Sequence, residues 1–219
     1  SVVNAEMPEF LVPAQPSQTR IMTEYSVLGT QHIWGGIDHL MFVLGLLLLV
    51  GGGTRLLWTI TAFTVGHSVT LGLVTLGLLS YPVSLVEFAI ALSIFVLALD
   101  LVRSPQVGSN QHLSLFKRHP WWLAGGFGLL HGMGFAGALA DIGLPQSNVP
   151  LALLFFNIGI EAGQIAFLLL LLGGWWLFKQ ALAMNAVTVN RTRLVLIPVY
   201  LLGGLSAMWC IERGIALIS

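Results

Sequence analysis

Six apolar stretches, each about the length of a membrane-spanning helix, follow one another along the chain. A helix of about 20 residues crosses the roughly 30 Å hydrocarbon core of a bilayer. Backbone groups inside that core must be satisfied within the spanning segment itself, as they are in an α-helix. The sequence therefore predicts an all-α integral membrane protein, with six transmembrane helices at residues 25–50, 56–79, 83–102, 121–140, 151–178 and 194–217.

The composition supports the same class of protein. Hydrophobic residues make up 56% of the 219 residues and charged residues only 8%, whereas an ordinary soluble domain is about 25% charged. The formal net charge of +0 gives no reason to expect a nucleic-acid partner. The single cysteine, Cys210, excludes an intrachain disulfide and a paired-cysteine metal motif. The expected surroundings are the lipid bilayer.

Basic residues in the connecting segments predict the orientation, because they are enriched on the cytoplasmic side. With six alternating spans, both termini are predicted to be extracytoplasmic, in a multi-pass protein of a bacterial inner membrane. Residues 1–24 are predicted to form an extracytoplasmic lead-in segment, and residues 25–219 the transmembrane domain. The predicted cytoplasmic side carries Arg55, Arg103, Lys117, Arg118, Lys179, Arg191 and Arg193, and the opposite side carries Arg20 and Arg213.

The first apolar stretch contains two histidines and an aspartate, His32, Asp38 and His39. An ionisable residue at the bilayer centre costs about 2.5–3.5 kcal/mol on insertion scales, so three of them indicate a functional site. On one continuous helix His32 and His39 would share a face, with Asp38 about 100° round from His39. Imidazole and carboxylate without thiolate suit Ni²⁺, Co²⁺ or Zn²⁺. The three side chains are predicted to begin a metal site that other helices complete.

Polar residues of four other spans fall at a similar predicted depth. His67 and His131 lie near the middle of their spans, and Glu87 lies within two turns of the start of the third. In the fifth span, Asn157, Glu161 and Gln164 are spaced i, i+4, i+7 and therefore share one helical face. They are expected either to line a cavity or to bond to neighbouring helices. The predicted metal ligands are His32, Asp38, His39, His67, Glu87, His131 and Glu161, with Ser68, Asn157 and Gln164 as supporting residues.

Two further expectations concern an internal repeat and a charged pair in the last span. Gly36 and His39 have the same spacing as Gly128 and His131. Three spans apart, the two segments would cross the membrane in opposite directions, which predicts an inverted three-plus-three repeat with its site at the midplane. Near the end of the last span, Arg213 is expected to pair with its neighbour Glu212.

The residues leave two functions open. A permease needs ligands that replace the hydration of an ion and then release it, and proton exchange at histidine or glutamate can be coupled to that release. An intramembrane metal-dependent hydrolase of the zinc type could use the same ligands, with Glu87 or Glu161 as the catalytic base. Neither an HExxH nor a GxSxG motif is present, which favours the permease.

The motif His32-x5-Asp38–His39, within GTQHIWGGIDHLMFVLGLLLL, resembles the signature of the HupE/UreJ family of hydrogenase and urease accessory membrane proteins. The stretches TAFTVGHSVTLG, VEFAIALSI, GLLHGMGFAGAL and FNIGIEAGQ resemble the branch of that family in which an extracytoplasmic domain precedes the helices, and FLVPAQPS resembles the junction that follows such a domain.

The resemblance implies a permease for nickel or cobalt that uses His32, Asp38 and His39 as metal-binding residues. It also implies metallochaperones or metalloenzyme maturation proteins as partners. The fourth span departs from the nickel-linked members, because LLHGMGF contains His131 alone where those members carry paired histidines followed by glutamate.

Overall fold

The computed structural model describes residues 17–103, 115–142, 148–184 and 191–218, and every regular element within them is an α-helix. The predicted all-α class is confirmed. Residues 1–16 of the predicted lead-in segment lie outside the described residues. The helices, in chain order, are α1 (Gln18–Gly35), α2 (Ile37–Val50), α3 (Thr54–Thr75), α4 (Val83–Arg103), α5 (Leu115–Arg118), α6 (Pro120–Ile142), α7 (Val149–Met184) and α8 (Arg191–Ile218).

The long helices fit a membrane protein that crosses the bilayer several times. Among the described residues, α3, α4, α7 and Leu194–Ile218 of α8 are each long and apolar enough to cross, and α1 with α2 makes a fifth candidate. The predicted fourth span coincides with α6, a helix of 23 residues that packs along α3. The apolar runs of the sequence therefore locate the long helices.

The first predicted span is not one helix, and this prediction is wrong. α1 ends at Gly35, α2 begins at Ile37, and the two helices are bent by 78°. α1 also begins at Gln18, before the predicted start near residue 25. Gly36 lies at the bend, where an added Cβ would come within 2.5 Å of Nδ1 of His39 and 3.1 Å of Oδ1 of Asp38. A larger residue at position 36 would therefore displace the side chain of His39 from its present position.

α1 and α7 run parallel and pack through glycines. An added Cβ on Gly29 would overlap the carbonyl oxygen of Phe156 and lie 3.0 Å from the backbone nitrogen of Ile160. An added Cβ on Gly159 would overlap the carbonyl oxygen of Ser26. Small residues allow this approach of backbones, which replaces the hydrophobic attraction that helices lack in lipid.

α3 and α6 form a second parallel pair with the same contacts. An added Cβ on Gly128 would overlap the carbonyl oxygen of Phe63 and lie 3.0 Å from the backbone nitrogen of His67. An added Cβ on Gly66 would overlap the carbonyl oxygen of Gly125. The two pairs therefore share one packing arrangement, in which each helix contributes at least one glycine.

α4 and α8 form an antiparallel pair, because Gly214 lies beside Phe88 and Gly203 lies beside Ala98.

Buried apolar side chains make two clusters. One joins α2, α3, α4 and α6, with one residue each from α7 and α8, and the other joins α1, α3 and α7. Phe63 belongs to the first cluster and Phe156 to the second, and both rings stand within about 6 Å of a histidine ring. The histidines therefore lie where the two clusters meet.

Candidate metal centre

Four imidazole rings from four different helices meet inside the bundle. The ring centroids of His32 on α1 and His39 on α2 are 4.5 Å apart, and those of His39 and His131 on α6 are 4.9 Å apart. His67 on α3 lies 5.8 Å from His32 and 6.3 Å from His39. The bend at Gly36 brings the last turn of α1 and the first turn of α2 to the same place. The proximity of His32 and His39 therefore comes from this bend and not from a shared helical face.

These histidines hold buried nitrogen atoms that have no hydrogen-bond partner among the described residues. They are Nε2 of His32, His39 and His131 and both ring nitrogens of His67, whose side chain is 0% exposed. Burying a polar atom without a partner costs free energy, and most buried polar groups in native proteins are paired. Imidazole nitrogens left free in this way are suited to bind a metal ion.

Two of these histidines are held through their other nitrogen. Nδ1 of His131 lies 2.8 Å from the carbonyl oxygen of Phe127, to which it donates, and this leaves Nε2 with its lone pair. Nδ1 of His39 lies 3.0 Å from Oδ1 of Asp38. Histidines that bind metals are commonly held by a carbonyl or carboxylate on the second nitrogen, which fixes the tautomer and the ring direction. The arrangement therefore presents Nε2 of both rings as an acceptor.

Asp38 is shared between the motif and the last helix. Its Oδ1 also accepts a hydrogen bond from the backbone N–H of His39 at 2.9 Å, and its Oδ2 lies 3.6 Å from Nη2 of Arg213 on α8. Nη1 of Arg213 donates to the carbonyl oxygen of Glu87 on α4 at 2.9 Å, and the guanidinium lies 5.9 Å from the ring centre of Trp209. Arg213 therefore connects the carboxylate of the motif to α4.

A cavity of about 340 Å³ opens at this point. His32, Asp38, His39 and His131 line it, together with Glu87 and Arg213. As these side chains stand, no three His, Cys, Asp or Glu residues in the described part of the chain are arranged to hold a metal ion. The carboxylate of Asp38 is turned toward His39 and Arg213.

Two predicted site residues on α7 contact α3 and do not line this cavity. Oε1 of Glu161 accepts a hydrogen bond from Oγ1 of Thr61 at 2.6 Å, and Oε1 of Gln164 accepts one from Oγ1 of Thr64 at 3.2 Å. The two side chains do share a helical face, as their spacing predicts. In this structure that face is bonded to threonines of the neighbouring helix.

Asn157 and Ser68, predicted as supporting residues, also lie outside the cavity lining. Nδ2 of Asn157 donates to the carbonyl oxygen of Leu153 at 2.7 Å, and Oγ of Ser68 donates to the carbonyl oxygen of Thr64 at 2.7 Å. Both bonds are made within the side chain's own helix. The structure thus brings together five of the seven predicted ligands, with His67 beside the cavity, and leaves the α7 residues and Ser68 apart.

Arg213 is the site residue that the sequence analysis did not identify. It pairs with Asp38 and not with Glu212, because successive helical residues point about 100° apart and do not face each other. A sequence signal does exist, since Arg213 is the one cation within the apolar part of α8, Leu194–Ile218. Such residues in membrane helices usually face the bundle interior and have a partner there.

The fold and the cavity define a multi-pass membrane protein with a buried group of histidines. Its family follows from the sequence as a whole, because the family model described as HupE / UreJ protein matches residues 9–213, nearly the entire chain. The chain belongs to this family, and the resemblance seen in the motifs is confirmed. No curated protein and no solved structure shows a significant match to the chain.

Proposed function

We propose that this protein is a permease for a divalent transition-metal cation, nickel or cobalt, which binds as cargo in the histidine cavity. The observation that carries the proposal is a set of buried imidazole nitrogens on His32, His39, His67 and His131 that have no hydrogen-bond partner in the described part of the chain. Imidazole donors suit nickel and cobalt, and the resemblance to the HupE/UreJ family points to the same metals. Metallochaperones or maturation proteins that receive the metal are the proposed partners.

The proposed ligands are the four histidines together with Asp38. Glu87 is exposed and lines the same cavity, so we propose it as an entry ligand or proton partner. Glu161 is not included, because its carboxylate is bonded to Thr61 and does not line the cavity.

Arg213 gives the cavity a second state. In the resting structure its positive charge lies beside Asp38, at the place that the metal ion would take. A divalent ion that binds Asp38 would be repelled by this charge, so the guanidinium must move away when the ion enters. The carboxylate of Glu87, on the residue whose carbonyl already binds Arg213, offers a new partner. We propose that Arg213 moves from Asp38 to Glu87 on binding and returns on release.

We further propose six spans in an inverted repeat, with α1 and α2 as the first span and α6 as the fourth. Six alternating spans would make the α1–α7 and α3–α6 pairs parallel and the α4–α8 pair antiparallel, in agreement with the packing described above. The contacts favour a register that equates Gly29 with Gly128, and so His32 with His131, in place of the sequence-based match between His39 and His131. Inverted repeats of this kind are frequent in transporters, with the substrate at the midplane between the halves. This supports transport.

The distribution of basic residues also supports a proposal for the orientation. We propose that both termini are extracytoplasmic and that the membrane is the bacterial inner membrane. The end of the bundle that carries Arg55, Lys117 and Arg118 would then face the cytoplasm.

The test is uptake of ⁶³Ni²⁺ or ⁵⁷Co²⁺ by proteoliposomes, with elemental analysis of the purified protein after dialysis against a mild chelator. We expect uptake by the wild type, little retained metal, and no uptake by the Asp38→Asn or His39→Ala variants at normal expression. Stoichiometric zinc that survives dialysis in the wild type, is lost in His39→Ala, and is accompanied by no uptake would overturn the permease in favour of the hydrolase.

A further inference from the structure

A second site lies outside the histidine cavity, between the first halves of α3 and α6. It is an open groove of about 910 Å³. Small residues Ala62, Gly66, Gly125 and Gly126 form part of its lining, and an added Cβ on Gly126 would meet no atom within 4 Å. The groove therefore has free space along a pair of membrane helices, where an extended apolar chain can lie.

Aromatic side chains border one end of the groove. Trp58 on α3 and Trp122 on α6 are 70% and 77% exposed, and Trp121 stands beside them. Tryptophan is enriched at the level of the lipid headgroups, where its ring contacts acyl chains and its N–H remains near water. This end of the groove therefore lies at the membrane interface.

The same end carries the cation Arg55 and lies beside the backbone of two further basic residues, Lys117 and Arg118. Arg55 lines the groove, and its Nη2 donates to the carbonyl oxygens of Lys117 and Arg118, the latter at 3.3 Å. Among the described residues, no carboxylate forms an ion pair with Arg55, Lys117 or Arg118. Because α3 and α6 are parallel, both helix N-termini lie at this end and add partial positive charge. The mouth of the groove therefore carries Arg55, with the basic residues Lys117 and Arg118 next to it in the chain segment that it contacts.

We propose that this groove binds an anionic glycerophospholipid. Its acyl chains lie against Ala62, Gly66 and Gly126, and its phosphate and acidic headgroup lie at Arg55, Lys117 and Arg118. The net negative headgroup selects this lipid over a zwitterionic one, whose own ammonium group would be repelled by the same basic residues. This inference does not depend on the transport proposal or on the orientation of the chain.

The experiment is native mass spectrometry of the delipidated full chain with added dioleoylphosphatidylglycerol or dioleoylphosphatidylcholine. We expect the wild type to prefer phosphatidylglycerol. Arg55→Gln should reduce this preference about fivefold, which corresponds to about 1 kcal/mol, the typical contribution of one basic residue near an anionic lipid surface. Arg103→Gln, which removes an interfacial cation outside the groove lining, is the matched control and should leave the preference unchanged.

A second variant tests the acyl-chain half of the site. Gly126→Leu extends a side chain into free space, so it should fold normally and weaken the binding of both lipids. Equal binding of the two lipids by the wild type, or equal effects of Arg55→Gln and Arg103→Gln, would overturn the proposal. A dimer that Gly126→Leu dissociates without changing lipid binding would also overturn it, because the groove would then be an interface between two copies of the chain.

Discussion

The two parallel helix pairs, α1–α7 and α3–α6, have the same backbone packing and different side chains at equivalent positions. Gly29 contacts the backbone of Ile160 as Gly128 contacts that of His67. Both of these partners are 0% exposed. Ile160 packs into an apolar cluster, whereas both ring nitrogens of His67 have no hydrogen-bond partner among the described residues. Packing of such a pair therefore does not require histidine, which supports the proposal that His67 binds the metal ion.

The largest expected effect comes from making the second pair like the first. His67→Ile should reduce affinity for Ni²⁺ or Co²⁺ about 100-fold or more, because even the outer partners of metal ligands contribute about 10–100-fold. In the metal-free protein it should raise the free energy of unfolding by about 1 kcal/mol, since a buried polar group without a partner is replaced by an apolar one. Metal titration and thermal unfolding in detergent with chelator measure the two effects.

The matched control is Ile160→Val at the equivalent position of α7. It should lower stability by about 0.5–1.5 kcal/mol, as is usual for this truncation, and leave metal affinity unchanged. If His67→Ile destabilised the metal-free protein as Ile160→Val does, the histidine would be a packing residue and the comparison would fail.

The next effect tests whether the two pairs pack equivalently. Gly29→Ala and Gly128→Ala should each destabilise the protein by about 1–3 kcal/mol, because the new methyl group would overlap a backbone carbonyl that cannot rotate away. Gly126→Ala, whose Cβ meets no atom within 4 Å, should be neutral or slightly stabilising. Thermal unfolding of the three variants is the measurement. A cost in only one pair would show that the packing differs between them.

A smaller effect is expected at the ion pair between Arg213 and Asp38. Arg213→Gln should bind Co²⁺ about tenfold more tightly, about 1.4 kcal/mol, because the cation that competes for Asp38 is removed. Isothermal titration in detergent measures the affinity. Arg213→Lys keeps the charge and should remain near the wild type. Weaker binding by Arg213→Gln would mean that Arg213 supports the site and does not compete with the metal.

The smallest effect concerns the polar contact between α3 and α7. Thr61→Val removes the hydrogen bond to Glu161 and should cost about 0.6 kcal/mol, the average measured for such bonds between membrane helices. Metal affinity should not change, because neither side chain lines the cavity. Thermal unfolding and metal titration of the same preparation provide the two readouts. If Thr61→Val lost metal binding, Glu161 would have to be included among the metal ligands.

Much of the fold could be predicted from the sequence, because the length and apolar character of a membrane helix are local properties. The runs at residues 56–79 and 83–102 lie close to α3 and α4 for this reason. The break at Gly36 could not be predicted, because Gly35 and Gly36 also suit close packing against another helix. The sequence does not show which of the two, a break or a packing contact, these glycines make.

The site was predicted in part. His32, Asp38, His39 and His131 were expected together and line one cavity. Depth along a helix does not reveal which neighbour a side chain faces, and so Glu161 was expected beside them although it contacts Thr61. Arg213 was missed because its partner is 175 positions away in sequence, beyond what spacing on one helix can show.

The break at Gly36 also sets up an electric field inside the protein. A helix that ends within the bundle leaves the partial negative charge of its last carbonyl groups there, and α1 ends at Gly35 beside His32. The next helix starts at the same place, and its partial positive charge falls on Asp38 in its first turn, where it favours the ionised carboxylate. The last carbonyl groups of α1 therefore attract a cation, and the first turn of α2 stabilises the negative charge of Asp38 that pairs with it. An unbroken helix would have neither helix end at this place.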